Sequence, residues 1–257
     1  MSKVLMDYFG NTNNKFLKGY CFSNESLVSC FKNFDLKGKS VLTVGSSGDQ
    51  AIASAESGST DITIVDICPL AEYIYTLKIT AKQVLSEDEL KEYFSIKGLS
   101  KNIYDKFKFS LPIHIRSFYD YLYSASNGCF SNAAVHVDSI FQEIWNIEFL
   151  RKKIHFFTNQ NLKIMDISPK FIVSDIREFE SDKKYDFIYL SNLLSNLTMS
   201  NNAMIDKLSP MLNDEGKIML KYFWYGVNTQ DDIYVKFHDE VTDELNSILV
   251  YTKEKRH

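Results

Sequence analysis

The sequence predicts an α/β protein with a mostly parallel, Rossmann-like sheet, a C-terminal antiparallel hairpin and a helical insertion. In the two outer parts of the chain, short apolar runs alternate with segments whose apolar residues recur at helical spacing. This alternation is typical of strand–helix–strand units. A stretch of about 80 residues between them shows helical patterning and no clear strand. Two final strand-like runs flank a short loop. Hydrophobic residues make up 45% of the 257 residues, enough for a substantial core.

The first sheet elements are predicted between residues 39 and 85. Val41–Val44 is a short apolar run ending at Gly45, followed by a helix from Asp49 that Gly58 stops. "DITIVDI" is the second strand, and Pro69 suits the first turn of the next helix, "LAEYIYTLKITAKQVL". This order indicates parallel strands with right-handed crossovers.

A helical insertion is predicted over residues 86–169, following an N-terminal helical cap segment over 1–38. Ser86 and Glu89 have capping-box spacing, and "SIFQEIWNIEFLRKKIHFFTNQ" has the pattern of a long amphipathic helix. In the cap segment, "SNESLVSCFKNF" repeats apolar residues at helical spacing. Insertions between sheet elements are often functional, so we expect 86–169 to lie on the acceptor side of the site.

Predicted strands and helices alternate again over residues 170–257. Together with residues 39–85, this segment forms the predicted ligand-binding domain. "KFIVSDI" ends at Asp175, and "KYDFIYLSN" ends at Ser191 and Asn192. The helix "TMSNNAMIDKLSPML", a turn at Asn213–Gly216 and the strand "GKIMLKYFW" follow. "DIYVKFHDEV" and "SILVYTKEK" then form the hairpin around "TDELN".

Composition and motifs exclude several functional classes. With 29 basic and 33 acidic residues the net charge is −4, so no nucleic-acid partner is expected. Four scattered cysteines predict free thiols in a reducing compartment, and no signal peptide or membrane span is evident, so we expect a cytoplasmic protein. The histidines lack metal-ligand spacing, and hydrolase and P-loop motifs are missing, so no metal site is predicted.

The turn in "VLTVGSSGDQAI" lacks the third glycine of the usual dinucleotide motif. Gly45 and Gly48 allow a ligand to approach the backbone, and amides at the helix start can bind a carboxylate. Asp49 would repel a pyrophosphate, but it suits a ligand that carries an ammonium and a sulfonium. The turn therefore favours an aminoacyl nucleoside. The alternative is a tight strand–helix turn that binds nothing.

These features resemble the class I S-adenosylmethionine-dependent transferase (methyltransferase) fold. The strand–"GSSG"–helix–strand–Asp66 order and the terminal hairpin carry the resemblance. Within that fold, "GSSGDQ" and "DICP" are similar to the 3-amino-3-carboxypropyl transferase branch related to betaine-lipid synthesis. The resemblance implies S-adenosyl-L-methionine as cofactor, bound by Gly45, Ser46, Ser47, Gly48, Asp49, Gln50, Asp66, Ile67, Asp175, Ile176, Ser191 and Asn192.

Individual roles are predicted from position in the fold. Asp66 ends the second strand, where an acid accepts the ribose hydroxyls, and Ile67 would pack on the adenine. Asp175 would accept the adenine amino group beside the Ile176 amide. For Asp66 and Asp175 the alternative is a helix N-cap. Ser191 and Asn192 would face the centre of the cleft, where "SNLL" departs from the Asn/Asp-Pro-Pro-aromatic pattern of nucleobase amino-methyltransferases.

No catalytic residue is firmly indicated, and the two weak candidates are His114 and Tyr20. His114 lies with Arg116 and several tyrosines in "LPIHIRSFYDYLYSASNG", which could position or deprotonate an acceptor. Tyr20, Phe22 and Ser23 precede the first strand and would either fold over the cofactor or pack in the core.

The predicted activity is transfer of a methyl or 3-amino-3-carboxypropyl group from S-adenosylmethionine to a small-molecule or lipid-like acceptor. The two groups differ only in which carbon faces the acceptor, so both stay open. A non-catalytic cofactor- or partner-binding module is the first alternative. An NAD-dependent oxidoreductase is the second, and the turn spacing disfavours it.

Overall fold

The computed structural model describes residues 21–23, 25, 27, 31, 34–95, 99–125, 168–193, 197, 199–222, 234–239 and 244–254. These residues form two compact units. The sheet unit comprises the described residues within 25–45, 49–67 and 168–254. The helical unit comprises those within 21–23, 46–48 and 68–125.

The sheet unit holds one seven-stranded sheet in the order β3-β2-β1-β4-β5-β7-β6. Neighbours from β3 to β5 pair in parallel, and β7 pairs antiparallel with both β5 and β6. The strands are β1 Ser40–Val44, β2 Asp61–Asp66, β3 Lys170–Val173, β4 Tyr185–Tyr189, β5 Leu212–Tyr222, β6 Tyr234–Asp239 and β7 Glu244–Thr252. The predicted Rossmann-like α/β class with an antiparallel C-terminal hairpin is therefore confirmed.

Two helices of the sheet unit join consecutive or neighbouring strands. Helix α1 spans Asp49–Glu56 and contacts β1 and β2; its small residues Ala51 and Ala55 are buried, which allows close packing. A helix over Asn201–Leu208, α6, is capped by the Ser200 hydroxyl and continues into a 3₁₀ turn, Ser209–Met211. Its apolar side chains join the core formed by β1, β4 and β5. This core fixes the positions of the strand ends that follow.

The helical unit contains helices α2 Leu70–Val84, α3 Glu87–Tyr93, α4 Lys101–Phe107 and α5 Ile113–Ala125. Helix α2 contacts the other three. The predicted capping box at Ser86 and Glu89 is present at the start of α3. Aromatic side chains form the core; for example, the rings of Tyr104 and Tyr123 stack with centroids 4.5 Å apart. Among the helices described, none has the length and apolar character needed to cross a membrane.

Several predicted element boundaries are wrong; β3 and β4, for example, end at Val173 and Tyr189, before the predicted Asp175 and Ser191. Asn213–Gly216 is part of the long strand β5, with a register shift opposite β4 and a left-handed Glu215 at φ 63°, because an irregular strand carries the same turn residues as a loop. Strand β7 begins at Glu244, inside the predicted hairpin loop, because pairing with β6 extends it. The long amphipathic helix predicted from "SIFQEIWNIEFLRKKIHFFTNQ" lies outside the described residues.

Candidate functional site at the carboxyl edge of the sheet

The strand order reverses at β1, which has β2 on one side and β4 on the other. Open α/β sheets bind ligands beyond the carboxyl ends of their strands at such a switch point. Val44 pairs with Val65, so Gly45 is level with Asp66 at the end of β2. Thr43 pairs with Tyr189, so Gly45 is also level with Ser191 beyond β4. The fold thus brings three predicted site residues from distant parts of the chain into one row.

Asp66 has two exposed apolar neighbours, its cross-strand partner Val173 and the next residue Ile67. It is half-buried and pairs in register with Val173 of β3, whose side chain is 59% exposed. Ile67, the next residue, is 42% exposed. Exposed aliphatic groups beside an acid suit a flat apolar ring attached to a hydroxylated sugar. The sequence did not single out Val173 as a site residue, although it predicted a strand in the segment that contains it.

The first turn of α1 presents Asp49 and Gln50. Asp49 is half-buried, whereas Gln50 is 1% exposed. The Oε1 atom of Gln50 is buried with no hydrogen-bond partner in the described structure. An unsatisfied buried acceptor costs roughly 1–3 kcal/mol, so a ligand that donates a hydrogen bond here would be stabilised.

Asp175 is already held by a neighbouring cation. Its Oδ1 accepts hydrogen bonds from the Arg177 backbone N–H at 2.8 Å and from Arg177 Nε at 3.0 Å. Hydrogen bonds from Arg177 hold the pKa of the Asp175 carboxyl below its ordinary value. The helix that Asp175 was expected to cap in the alternative reading is only a single turn, closed by a hydrogen bond from the Phe179 N–H to the Asp175 carbonyl. Adenine would thus compete with Arg177 for this carboxylate, and the Ile176 side chain packs in the core.

A buried carboxylate, Glu25, adjoins Ser191 and was missed by the sequence reasoning. Glu25 is 1% exposed. Its Oε1 accepts a hydrogen bond from Ser191 Oγ at 2.6 Å, and its Oε2 accepts one from the Tyr189 hydroxyl at 2.8 Å. Asn192 Oδ1 lies 3.3 Å from the same Ser191 Oγ. Ser191 itself has a left-handed backbone, φ 57°, which turns the chain sharply at the end of β4.

The turn Ser46–Gly48 belongs to the helical unit, where it packs on α2. Gly48 has φ 80°, and a Cβ atom there would lie 2.9 Å from the Cβ of Tyr75. Ser46 is also left-handed, at φ 44°. Ser47 is fully buried, and its carbonyl accepts a hydrogen bond from Lys78 Nζ at 3.3 Å. Glycine at position 48 is therefore required by packing on α2, independently of any ligand.

The weak catalytic candidates gain no support. His114, on α5 in the helical unit, has a side chain that is 56% exposed and lies 3.9 Å from the Glu72 carboxylate. Tyr20 lies outside the described residues. The neighbouring tyrosines Tyr119 and Tyr123 are buried core residues whose hydroxyls donate to the carbonyls of Tyr73 and Leu99. They stabilise the helical unit and are not presented to an acceptor.

No protein-family model matches the chain, and no curated protein sequence matches it either. Solved structures of methyltransferases have a similar fold at low sequence identity. The N-methyltransferase NodS from Bradyrhizobium japonicum WM9, in complex with S-adenosyl-L-homocysteine, is 12% identical with a TM-score of 0.42, covering 98% of each chain. The ribosomal protein L11 methylase from Lactobacillus delbrueckii subsp. bulgaricus is 12% identical with a TM-score of 0.41, covering 89% of this chain and 77% of that one. Likenesses this distant carry no functional argument, so the assignment below depends on the site.

Proposed function

We propose that this protein is an S-adenosylmethionine-dependent transferase. Its acceptor is a small or lipid-like molecule, and the group transferred is methyl or 3-amino-3-carboxypropyl. The observation that carries the proposal is the row formed by Gly45, Asp66 and Ser191 at the switch point of the sheet. In this row an acid has two exposed aliphatic neighbours, Ile67 directly after β2 and Val173 at the end of β3, which suits an adenosine.

The charges at this edge favour a cationic ligand over a pyrophosphate. Asp49, Asp66 and Glu25 are all acids placed at or next to the carboxyl ends of β1, β2 and β4. Two phosphates would be repelled by such a set, whereas an ammonium and a sulfonium are attracted. The buried Gln50 Oε1 offers an acceptor for an N–H donor of the aminoacyl group. Asp66 would accept the ribose hydroxyls, and Ile67 and Val173 would pack on the adenine.

When bound, the sulfonium supplies an activated carbon to an attacking heteroatom. The chain's own task is then to align the acceptor with that carbon. Asn192 and the Ser191–Glu25 pair lie at the end of β4, the central position of the edge, and we assign them to this alignment. Glu25 and Ser191 would also keep the β4 end rigid, because their 2.6 Å hydrogen bond is buried.

Calorimetry of the purified protein against three ligands tests this proposal. We expect S-adenosylmethionine and S-adenosylhomocysteine to bind with micromolar dissociation constants, and NAD to bind far more weakly. If neither sulfur nucleoside binds below about millimolar, the transferase assignment is wrong. Tight NAD binding instead would support the oxidoreductase alternative.

Product analysis then identifies the transferred group. With S-adenosylmethionine and a panel of amine, hydroxyl and lipid acceptors, methyl transfer releases S-adenosylhomocysteine. Aminocarboxypropyl transfer releases 5′-methylthioadenosine. Cofactor binding without turnover on any acceptor would favour the non-catalytic binding module.

A further inference from the structure

Two large apolar side chains are strongly exposed in the helical unit, between helices α4 and α5. Phe109 is 76% exposed and Ile113 is 70% exposed. Phe109 belongs to the 3₁₀ turn Lys108–Ser110 that follows α4, and Ile113 is the first residue of α5. We call residues 108–116 the α4–α5 corner. Large apolar side chains that face water close together are typical of an interaction surface.

The corner keeps these two side chains out of the core because the residues between and beside them fill it. Leu111 lies between Phe109 and Ile113 in the chain and is buried, and Ile115, directly after the pair, is buried as well. Because protein interiors are closely packed, Phe109 and Ile113 could enter the core only by displacing residues that already occupy it. Their exposure is therefore fixed by the fold of the helical unit.

Arg116 joins the two exposed side chains into one patch. It lies three residues after Ile113 on α5, so the two side chains are neighbours on the helix surface. The Cζ atom of Arg116 is 5.2 Å from the centre of the Phe109 ring, and Nζ of Lys108 is 5.3 Å from the same centre. The corner therefore presents two apolar side chains with two cations beside them.

The charge of this segment is opposite to that of the whole chain. Residues 100–117 contain four basic residues and one acidic residue, whereas the chain has a net charge of −4. Asp105 and Glu89 form ion pairs with the three lysines of the segment, whereas Arg116 contacts the Phe109 ring. The corner thus combines apolar exposure with local positive charge, which is complementary to an anionic surface that has an apolar interior.

We propose that the α4–α5 corner binds the surface of a membrane that contains anionic phospholipids. Phe109 and Ile113 enter the boundary between the headgroups and the acyl chains, and Arg116 binds a lipid phosphate. Aromatic rings and the cations beside them are both favoured at that depth of a bilayer. The inference concerns a surface that the proposed transferase site does not use, and it does not depend on that activity.

Nucleic acid is the other polyanion that aromatic and basic side chains bind, and it fits the corner less well. Proteins hold single strands on aromatic rings, against which successive bases stack. Ile113 is aliphatic and has no π-face for a base, whereas acyl chains accept aliphatic and aromatic side chains alike. The pairing of Phe109 with Ile113 therefore favours the membrane.

Vesicle flotation tests the proposal. The wild type is mixed with vesicles of phosphatidylcholine alone, or of two parts phosphatidylcholine to one part phosphatidylserine. The variants are the double substitution Phe109→Ser with Ile113→Ser, the single substitution Arg116→Gln, and the control Val84→Ser. Val84 ends helix α2 and is 44% exposed, so its substitution removes an exposed aliphatic side chain outside the corner. Thermal unfolding of each variant establishes that it is folded.

We expect the wild type to bind the phosphatidylserine vesicles about tenfold more tightly than those of phosphatidylcholine alone. The double substitution should weaken binding to the phosphatidylserine vesicles by about tenfold or more, because two apolar side chains no longer enter the bilayer. Arg116→Gln should weaken it by about fivefold, and raising the salt concentration should have the same direction of effect. Val84→Ser should behave as the wild type.

A fluorescent side chain locates the contact. In Phe109→Trp, lipids with brominated acyl chains should quench the emission that this variant adds to that of the chain's two tryptophans. In Val84→Trp the added emission should not be quenched. Equal quenching in the two variants would contradict insertion of the corner.

The inference is overturned if the wild type does not bind phosphatidylserine vesicles, or binds both kinds of vesicle equally. It is also overturned if the folded double variant binds as the wild type does. Binding of a single-stranded oligonucleotide that requires Phe109 and Arg116, without binding of vesicles, would assign the corner to nucleic acid instead. Calorimetry with S-adenosylmethionine is a separate measurement, so the transferase proposal and this inference can each fail alone.

Discussion

The two edges of the sheet unit use their polar residues in opposite ways. At the amino edge, the side chains bond to each other. Asp186 near the start of β4 accepts hydrogen bonds from the Ser40 N–H at 2.8 Å, the Ser40 hydroxyl at 3.0 Å and the Asn213 amide at 2.9 Å. At the carboxyl edge Glu25 also bonds to Ser191 and Tyr189. Here, however, the buried Gln50 oxygen has no partner among the described residues, and Ile67 and Val173 are exposed.

If the proposed site is correct, this difference separates residues that stabilise the sheet from residues that bind the ligand. The amino-edge hydrogen bonds link β1, β4 and β5 to one another. The carboxyl edge keeps strained and unsatisfied groups whose cost a ligand can offset. Substitutions at the amino edge should thus change unfolding more than binding, and substitutions at the carboxyl edge should do the reverse.

The largest effect is expected at Asp66, which ends strand β2, with Asp61 at the start of the same strand as the control. Asp66→Ala should weaken binding of S-adenosylhomocysteine by about 1.5–3 kcal/mol, because the ribose hydroxyls lose a charged acceptor. Asp61→Ala at the other end is the control. It removes only an exposed ion pair with Lys183, whose N–O distance is 2.6 Å, and should change binding by less than about 0.5 kcal/mol. Calorimetry measures both, and equal affinities for the two variants would remove Asp66 from the site.

A smaller effect is expected at the amino edge, on stability. Burial raises the pKa of Asp186, but hydrogen bonds from Ser40 and Asn213 outweigh it and leave that pKa below its ordinary value. The carboxylate's contribution is therefore complete above the unfolded-state pKa of about 3.9 and is lost as the pH falls through the lower folded-state value. Asp186→Asn should lower the free energy of unfolding by about 1–2 kcal/mol at pH 7.

Urea unfolding at several pH values checks this, and the difference between wild type and variant should shrink below about pH 4. Ligand affinity should be unchanged at neutral pH. A stability difference that does not vary with pH would mean that the Asp186 charge is not what the network needs.

The smallest effect is expected from two buried oxygens, Gln50 Oε1 and Thr43 Oγ1, that have no hydrogen-bond partner in the part of the chain that the structure describes. Gln50→Leu and Thr43→Val replace each with an apolar group of similar size, so the unliganded protein should keep or gain up to about 1 kcal/mol of stability. Only Gln50→Leu should also weaken S-adenosylhomocysteine binding, because Thr43 lies inside β1 and Gln50 begins α1 beside the turn. Thermal unfolding with and without ligand compares them, and parallel behaviour of the two variants would show that Gln50 is a core residue.

Local patterns in the sequence accounted for most of the fold. The apolar run before Gly45, the alternation in "DITIVDI" and the capping box at Ser86 each depend on neighbours within a few residues, and each was predicted correctly. The same reasoning failed at Asn213–Gly216, where pairing with β4 extends a strand through turn-forming residues.

Only part of the candidate site could be predicted from the sequence, because local patterns do not reveal contacts between distant residues. Gly45, Asp66 and Ser191 could be placed because strand ends are local features and parallel topology brings them together. Glu25 could not, because its partners Tyr189 and Ser191 are 164 and 166 residues away and nothing in "SNESL" marks such contacts. Asp175 follows β3, which ends at Val173, and its pairing with Arg177 was not foreseen.

The sequence by itself determined the class of fold and the row of residues that ends the central strands, because both follow from short-range periodicity and strand topology. Only the tertiary structure decided which polar groups bond to each other and which stay available to a ligand. Hydrogen bonding and burial depend on packing between elements that are far apart in the chain. Lys78 shows how packing decides burial: in the sequence it is one lysine of an amphipathic helix, and in the structure it is fully buried with its Nζ donating to the Ser47 carbonyl.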